Sequence, residues 1–385
     1  MAASSSDARE FDIVLFGATG FTGGLTAEYL AANAPAKLRW ALAGRNRAKL
    51  EDVRARLGKP DLGLIEADVN NEESLASLAA RTKSIVTTVG PYLEYGEPLV
   101  KACAEAGTDY LDLTGEPEFV DRMYVKYHRT AAESGARLIH ACGFDSIPHD
   151  IGALFTVKEL GGEGPITVRG VVRSNGTFSG GTFHSALSQM SRGRQMVAAA
   201  KERRQMEERN PRVHLKASRP HKDPVLGYYL LPLPTIDPTI VGRSASLRGD
   251  YGSDFTYSHY AGTKTIAYAA GGSAAVVGLL GAAQIKPVRD FLGSKVPQGT
   301  GPSQSKRDAT WFTVDFIGES LGREVHTRVS GGDPGYTETS RMLAEAAMCL
   351  ALDKNPKTAG QVTPAAAMGE KLQKRLEKFL KFEVL

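Results

Sequence analysis

Apolar and polar positions in the first part of the chain alternate between a strand pattern and a helix pattern. Residues 11–16, FDIVLF, form a short apolar run typical of a buried parallel strand, and an amphipathic helical pattern begins near Phe21. Later helical patterns begin near Glu72, Glu97 and Glu118, and the apolar runs between them are LGLIEADV, KSIVTTVG, TDYLDLT and ARLIHACG. This order predicts an α/β fold with a doubly wound parallel sheet.

The alternation stops after Gly152. A period-two pattern then appears in PITVRGVVRSNG, ATWFTVDFIGES and REVHTRVSGG, which predicts a second α+β domain with antiparallel strands. Residues 286–309 are rich in Pro, Gly, Ser and Lys, and we expect an exposed loop there. The predicted parts are a flexible tail at 1–10, a Rossmann domain at 11–150, an α+β substrate domain at 151–332 and C-terminal helices at 333–385.

Two helices are predicted near the C-terminus. The first follows Pro334 and Gly335, and its first residues would bring Tyr336 to the cleft; the second has Thr363 as N-cap and Pro364 in its first turn. Their apolar faces, at helical spacing, comprise Met342, Leu343, Ala346, Ala347 and Leu350 in the first and Met368, Leu372, Leu376 and Phe379 in the second.

Length and composition fit a globular protein with two cores. A chain of 385 residues suits two domains, and a net charge of +4 is too small to indicate nucleic-acid binding. Cys103, Cys142 and Cys349 have no paired spacing, so neither a disulfide framework nor a metal site is predicted. The start, MAASSSDARE, lacks the apolar core of a secretory signal, and we expect a cytoplasmic protein.

Positive charge is concentrated between Arg192 and Lys222, a segment that contains ten Lys and Arg residues and three Glu residues. A solvated helix followed by a loop explains this excess. The alternative is a docking surface for an acidic partner or an anionic substrate tail. An acidic acyl carrier protein would be a partner of this kind.

The least polar stretch of the chain is TIAYAAGGSAAVVGLLGAAQI, residues 265–285. Its length would span a bilayer, but Ala and Gly dominate it and it has only two leucines. We therefore expect a buried or interface helix. Membrane contact would be at most peripheral, and a homodimer remains open.

The turn GATGFTG lies between the first predicted strand and helix. Three glycines in this order allow a tight turn with close backbone approach, and the first amides of the helix then face outward at its positive end. A pyrophosphate fits such a site. The residues expected to bind it are Gly17, Thr19, Gly20, Phe21, Thr22 and Gly23.

A second predicted strand, in LRWALAGRNR, ends near Ala43. Where an NAD-binding protein usually has an acidic residue for the ribose, this chain has Gly44, Arg45, Asn46 and Arg47. A carboxylate would repel a 2′-phosphate, whereas the guanidinium of Arg45 would pair with it. NADP is therefore favoured over NAD.

Two further strand ends complete the predicted cofactor site. Asp68 would meet the adenine side of the cofactor, although a plain helix cap explains it equally well. Gly90 and Pro91 follow another strand and would lie near the nicotinamide.

Several motifs together are similar to one family. GATGFTG, WALAGRN, GPYLEYGEPLVKACAEAGTDYLDLTGE and ACGFDSIPHDIG resemble the saccharopine dehydrogenase-like oxidoreductases, and within them the actinobacterial trans-acting enoyl reductases; the resemblance returns at SNGTFSGGTFHSAL and GGDPGYTETS. It implies an NADP-binding Rossmann domain, a second α+β domain, and C-terminal helices that pack back onto the first. Members include reductases that act on polyketide-derived lipid intermediates.

Reduction of a conjugated double bond requires a donor at the carbonyl oxygen and a proton source. In GPYLEYGEP, Tyr92 or Tyr95 would present a phenol to the substrate; alternatively, either one packs against the nicotinamide or the domain interface. In CGFDSIPHD, His149 would donate a proton and Asp145 would orient a partner or the cofactor amide. Ordinary turn and helix-start residues explain this second loop as well.

His184 in SGGTFHSAL is a third donor candidate, and Ser179, Thr182 and Ser185 would bind polar substrate atoms. A strand-to-helix cap explains the same residues. Cys142 is interpreted as a packing residue, because no basic partner is fixed beside it in the sequence.

Three functions fit these patterns. The first is an NADPH-dependent enoyl reductase acting on an acyl chain held by a carrier protein or coenzyme A, received by the basic segment 192–222. The second is a saccharopine-type imine reductase, in which Arg173 and Arg243 would clamp carboxylates. The third is a protein without turnover that senses NADP or binds a lipid surface. The apolar residues 265–285 favour a lipid substrate.

Overall fold

The computed structural model describes residues 9–176, 180–208, 210–216, 219–295 and 301–385. The strands are β1 (Phe11–Phe16), β2 (Trp40–Gly44), β3 (Gly63–Glu66), β4 (Thr82–Thr87), β5 (Asp109–Leu111), β6 (Arg137–Ile139), β7 (Pro165–Ser174), β8 (Val213–Leu215), β9 (His221–Lys222), β10 (Tyr229–Pro232), β11 (Asp254–Thr263), β12 (Phe312–Ser320), β13 (Arg323–Gly331), β14 (Gly360–Val362) and β15 (Lys381–Val384).

Helices connect and cover these strands. They are α1 (Phe21–Asn33), α2 (Arg47–Arg56), α3 (Glu72–Ala80), α4 (Tyr92–Tyr95), α5 (Glu97–Ala106), α6 (Pro117–Ser134), α7 (Ile147–Leu160), α8 (Gly180–Ser191), α9 (Gly193–Met206), α10 (Asp237–Arg248), α11 (Ile266–Gln284), α12 (Lys286–Ser294), α13 (Gln304–Asp308), α14 (Thr337–Leu352), α15 (Pro364–Ala367) and α16 (Gly369–Leu376).

The first sheet has seven parallel strands in the order β14-β6-β5-β4-β1-β2-β3. Its strands are apolar because helices cover both faces; Leu15 and Val86, for example, are fully buried. The chain order reverses between β1 and β4, and the carboxyl ends of strands at such a switch point are where open α/β sheets bind ligands. This topology confirms the predicted doubly wound sheet.

The seventh strand of this sheet, β14, does not follow from the sequence pattern. It has only three residues, and it pairs with β6 through Gly360, Gln361 and Val362. Gln361 is fully buried, and its amide group donates to the carbonyl of Val120 at 2.8 Å. Because this strand is so short and contains a polar residue, it shows no alternation of apolar and polar residues that would identify it as a strand.

The second sheet is mixed. Its order is β15-β13-β12-β7-β11-β10-β9, and β8 pairs with β11. The β12–β13 hairpin is antiparallel, as predicted, but β11 is parallel to both β7 and β8. The three predicted strands, β7, β12 and β13, are thus antiparallel neighbours as predicted, whereas β11 was not predicted, and it makes the sheet mixed.

The C-terminal helices pack back onto the first sheet. Helix α14 contacts α1, β1 and β4, and Tyr29 of α1 donates a hydrogen bond to Glu345 of α14 at 2.8 Å. Thr363 caps the next helix as predicted, since its hydroxyl accepts from the amide of Ala366. That helix is divided, however: Met368 lies between α15 and α16, and Gly369, the first residue of α16, has φ +48°.

Residues 286–309 were predicted to form a loop, but α12 and α13 lie there, with residues 296–300 outside the described part of the chain. One alternative predicted that the helix at residues 265–285 is buried. The structure contradicts it, because Ile266 and Tyr268 of α11 are 66% and 74% exposed. Within the described ranges, no helix is both long and apolar enough to cross a membrane.

Candidate active site

The β1–α1 turn has the geometry of a phosphate-binding loop. Gly17 has φ +94°, and a Cβ atom on Gly23 would lie 2.1 Å from the Gly17 carbonyl oxygen, so both positions require glycine. Gly20 is exposed at the tip, and no side chain caps α1, whose first amides therefore lack intrahelical partners. The turn can hold an anion such as a pyrophosphate.

Distant parts of the chain pack against the helical side of this turn. The rings of Phe21 and Tyr336 meet edge to face at 5.0 Å, and Ser340 donates to the carbonyl of Thr22 at 3.3 Å. Thr19 stays exposed. The start of α14 thus braces the turn from behind and leaves its tip open.

The three residues that follow β2 have different contacts. Asn46 caps α2 by accepting from the amide of Lys49, and Arg47 pairs with Glu51 at 3.1 Å. Arg45 is exposed and makes no hydrogen bond or ion pair with the described residues, so its guanidinium can meet a 2′-phosphate.

Asp68 lies at the end of β3 and caps a turn. Its carboxylate accepts from the amide and the side chain of Asn70 at 2.9 and 3.1 Å, while Asn71 is the N-cap of α3. Asp68 is therefore not the helix cap of the alternative, because Asn71 has that place, and its predicted cofactor contact stays a hypothesis.

The two candidate tyrosines have different environments. Tyr92 is buried, and its hydroxyl donates to the Thr87 carbonyl at 3.1 Å and accepts from the Leu113 amide at 3.2 Å. Tyr95 is 40% exposed at the end of α4. The phenol of Tyr92 therefore links two strand ends, and Tyr95 is the more exposed of the two tyrosines. Gly90 and Pro91, joined by a cis peptide bond, precede both.

Glu116 is a central residue of this edge that sequence reasoning missed. Its carboxylate accepts from the amides of Tyr92 and Leu93 at 3.2 and 2.8 Å and from the Ser185 hydroxyl at 2.6 Å. Burial raises its pKa. The motif LTGE contains this residue, but only the fold brings it to the β4–α4 loop and to α8.

The β6–α7 loop has a strained backbone. Ala141 and Ser146 have φ values of 59° and 150°, which L-residues rarely adopt. Asp145 between them is half-buried, and its carboxyl lies 3.2 Å from the position of a Cβ on Gly115. Burial, followed by the charge of Asp237, raises the pKa of Asp145 to about 7.

His149 belongs to a buried cluster with two residues that sequence reasoning missed. Its Nδ1 lies 3.1 Å from Oδ1 of Asp237, and Nε2 of His259 lies 3.6 Å from Oδ2 of the same carboxylate. The three side chains are at most 4% exposed. His149 therefore faces the interior, and α10 and β11 supply its neighbours from a distance that no sequence motif spans.

Other candidates have mainly packing contacts. Cys142 is fully buried, and burial raises the pKa of its thiol, as expected for a packing residue. His184 is half-buried against Gly293 of α12. Ser179 and the side chain of Thr182 lie outside what the structure describes.

The basic segment 192–222 is not one solvated surface. Arg192 donates to both oxygens of Glu118 at 2.8 and 2.7 Å, and the buried Arg203 pairs with Asp121. Arg209 lies outside the described residues. The exposed cations are Arg194, Lys201, Arg204, Arg212, Lys216, Arg219 and Lys222.

The two arginines proposed as carboxylate clamps have internal contacts. Arg243 is buried and donates to Glu207, and to the side chain and carbonyl of Gln361. Arg173 donates to the Tyr228 hydroxyl at 2.6 Å and stacks over its ring. The Arg243 guanidinium is thus not left as an open fork for a dicarboxylate, and that of Arg173 is held against the Tyr228 ring.

Comparison with known proteins adds a family. A sequence model of the saccharopine dehydrogenase NADP-binding domain matches residues 13–139. A protein of Mycobacterium tuberculosis, named provisionally as a trans-acting enoyl reductase, is 40% identical over 404 residues and 96% of each chain. A trans-acting enoyl reductase of Mycobacterium ulcerans is 35% identical over 407 residues and 97% of each chain.

A solved structure has the same fold. Apo saccharopine dehydrogenase (L-Glu forming) from Saccharomyces cerevisiae matches with a TM-score of 0.55 at 13% identity, over 97% of this chain and 100% of that chain. The likeness covers the parallel sheet and the second sheet together.

Proposed function

The chain belongs to the family of the trans-acting enoyl reductases and is an NADP-dependent oxidoreductase, and we propose that it reduces the conjugated double bond of an acyl thioester held on a carrier protein or coenzyme A. The observation that carries this proposal is that Tyr95, 40% exposed, ends the helix that follows β4, at the sheet edge that also bears the glycine turn. We further propose that it works in the cytoplasm, in keeping with three free, buried thiols.

The residues of the glycine turn would hold the cofactor. The amides of Phe21, Thr22 and Gly23 would bind the pyrophosphate beyond Gly20, and Arg45 would pair with the 2′-phosphate. Asp68 would lie on the adenine side, and Gly90 and Pro91 beside the nicotinamide. When bound, NADPH supplies the hydride.

Tyr95 would act on the substrate carbonyl. Its hydroxyl donates a hydrogen bond to the thioester oxygen and stabilises the negative charge that develops there as the β-carbon is reduced. The phenol then protonates that oxygen, solvent returns a proton to the phenolate oxygen, and the enol tautomerises to the saturated thioester as the α-carbon takes a proton from solvent and the enol hydroxyl releases one. Tyr92 has no such role in this scheme, because its hydroxyl binds two backbone groups.

The β6–α7 loop would serve the cofactor. Asp145 is half-buried at the end of β6, where its carboxyl would orient the nicotinamide amide. We do not assign the proton to His149, because its ring is buried and faces Asp237. Glu116 would hold the β4–α4 loop, and hence Tyr95, in position.

The acyl group and its carrier would approach from the second sheet. Helix α11 packs against α8 and exposes Ile266, Tyr268 and Leu280, an apolar surface suited to a lipid chain. The exposed cations between Arg194 and Lys222 would attract an acidic carrier or an anionic phosphopantetheine.

The imine reductase and the sensor remain as alternatives with less support. An imine of an amino acid presents carboxylates, and the internal contacts of Arg173 and Arg243 leave those charges without the proposed clamp. A sensor would bind NADPH without consuming it.

Stopped-flow absorbance of NADPH distinguishes the three functions. The protein would be mixed with a panel of enoyl thioesters and, separately, with pairs of keto acid and amine. We expect NADPH loss only with enoyl thioesters. Consumption only with the keto acid and amine pairs would establish the imine reductase, and binding without consumption in every mixture would establish the sensor.

A further inference from the structure

The cluster of His149, Asp237 and His259 has the composition of a metal site. Each residue offers one ligand atom, and the three atoms lie within 4.8 Å of one another in the buried interior. Nδ1 of His149 lies 3.1 Å from Oδ1 of Asp237, and Nε2 of His259 lies 3.6 Å from Oδ2 of the same carboxylate; each separation is close to the distance of about 3.4 Å between neighbouring ligands of tetrahedral Zn²⁺. We propose that these three side chains bind a divalent transition-metal ion of the zinc class.

The directions of the nitrogens support an ion in preference to a shared proton. Nδ1 of His149 lies 3.1 Å from Oδ1 of Asp237. Even so, within the described residues no hydrogen bond is made by either ring nitrogen of His149 or by Nε2 of His259. An imidazole that shares a proton with a carboxylate points its N–H at the oxygen. Ring nitrogens without a hydrogen-bond partner among the described residues are available as metal ligands.

Two further residues bind the proposed ligand side chains and orient them, as residues around the ligands of known metal sites do. The Tyr257 hydroxyl lies 3.2 Å from Nδ1 of His259, which leaves Nε2 as the free ligand atom. The Ser146 hydroxyl donates to Oδ1 of Asp237 at 3.3 Å. Contacts of this kind set the tautomer of a histidine and the orientation of a carboxylate ligand.

The charge of the buried Asp237 is a third reason to infer a metal ion. Asp237 is 3% exposed, and its ion-pair partners among the described residues are the two imidazoles, with no lysine or arginine. A buried carboxylate without a permanent cation is costly. A divalent ion supplies that charge, and three N and O ligands leave a fourth position open.

The inference rests on this cluster alone and does not depend on the proposed reaction. The metal-stripped full-length protein would be titrated with Co²⁺, and visible absorption would report tetrahedral coordination. Binding of Zn²⁺ would be measured by competition. We expect one ion per chain, with affinity lowered about 10-fold or more in Tyr257→Phe and far more in His149→Gln and His259→Gln.

A matched control is available on the second sheet. His214 lies 3.1 Å from Asp254 in an exposed pair, so His214→Gln removes a His–Asp contact outside the cluster and should leave Co²⁺ binding unchanged. Circular dichroism and NADPH binding would verify that each variant folds; if one ligand variant does not fold, the other carries the test. Absence of stoichiometric binding in the wild type, or unchanged binding in the folded ligand variants, would overturn the proposal and leave a proton-sharing cluster.

Discussion

The β1–α1 turn and the β6–α7 loop connect a strand to a helix at the same edge of the parallel sheet, yet their conformations have different origins. In the first, glycine occupies the positions that exclude a side chain, Gly17 and Gly23. In the second, non-glycine residues adopt unusual backbone angles at Ala141 and Ser146. Local residue choice explains the first turn, whereas tertiary contacts must hold the second.

The contacts that hold the second loop come from far along the chain. The amide of Phe144 donates to the hydroxyl of Thr339 at 3.0 Å, and Ser146 binds Asp237. The next residue of α14, Ser340, reaches Thr22 beside the glycine turn. The start of α14 therefore contacts both connections, and α10 adds a contact to the β6–α7 loop through Asp237.

Gly20→Val should have the largest effect. A Cβ at Gly20 meets only the Gly17 carbonyl, at 3.5 Å, so the protein should fold, but the branched side chain would occupy the space of the pyrophosphate. We expect NADPH affinity to fall at least about 1000-fold, or about 4 kcal/mol, by calorimetry. Gly193→Val, at the open start of α9, is the control. Wild-type affinity in Gly20→Val would mean that the cofactor does not cross this turn.

Tyr95→Phe and Tyr92→Phe should separate chemistry from structure at the third connection, β4–α4. Loss of an oxyanion donor lowers kcat by about 10² to 10³, which we expect for Tyr95→Phe with NADPH affinity unchanged. Tyr92→Phe leaves the Thr87 carbonyl and the Leu113 amide without a partner and should instead lower the free energy of unfolding by about 1–3 kcal/mol. Wild-type turnover in Tyr95→Phe would remove that phenol from the mechanism.

Glu338, in the first turn of α14, should make the free energy of unfolding depend on pH. Burial is the main cause that raises the pKa of Glu338 from 4.5 to about 7. The folded protein thus holds this proton more tightly than the unfolded chain, so the contribution is complete below pH 4.5 and is lost as pH rises to about 7.

Urea unfolding across this range should show a loss of up to about 3 kcal/mol in the wild type relative to Glu338→Gln. The residue pairs with Arg341 at 3.2 Å, so the loss should be smaller than burial alone would give. Parallel pH profiles for the two proteins would show that Glu338 does not titrate in this range.

Arg45→Ala should have the smallest effect, on cofactor choice. The substitution removes the charge opposite a 2′-phosphate, so the preference for NADPH over NADH should narrow about 10- to 100-fold, or about 1–3 kcal/mol. Arg47→Ala is the matched control, because Arg47 pairs with Glu51. Equal affinity of the wild type for both cofactors would show that Arg45 does not read the phosphate.

Sequence by itself determined the parts of this protein that depend on local pattern. Strands β1 to β6 of the parallel sheet, the glycine turn, the helix starts at Glu72 and Glu97 and the capping Thr363 all follow from periodicity or from one residue's backbone requirement. The domain boundaries and the roles of the site residues stay predictions of the same reasoning.

Tertiary structure decided what depends on partners distant in the chain. It distinguished Tyr92 from Tyr95, since the pattern GPYLEYGEP does not reveal which phenol meets the backbone of Thr87 and Leu113. It also joined Asp237 and His259 to His149, and β14 and β15 to their sheets. Burial and hydrogen bonding between separate elements are set by how those elements pack, and no local spacing records that packing.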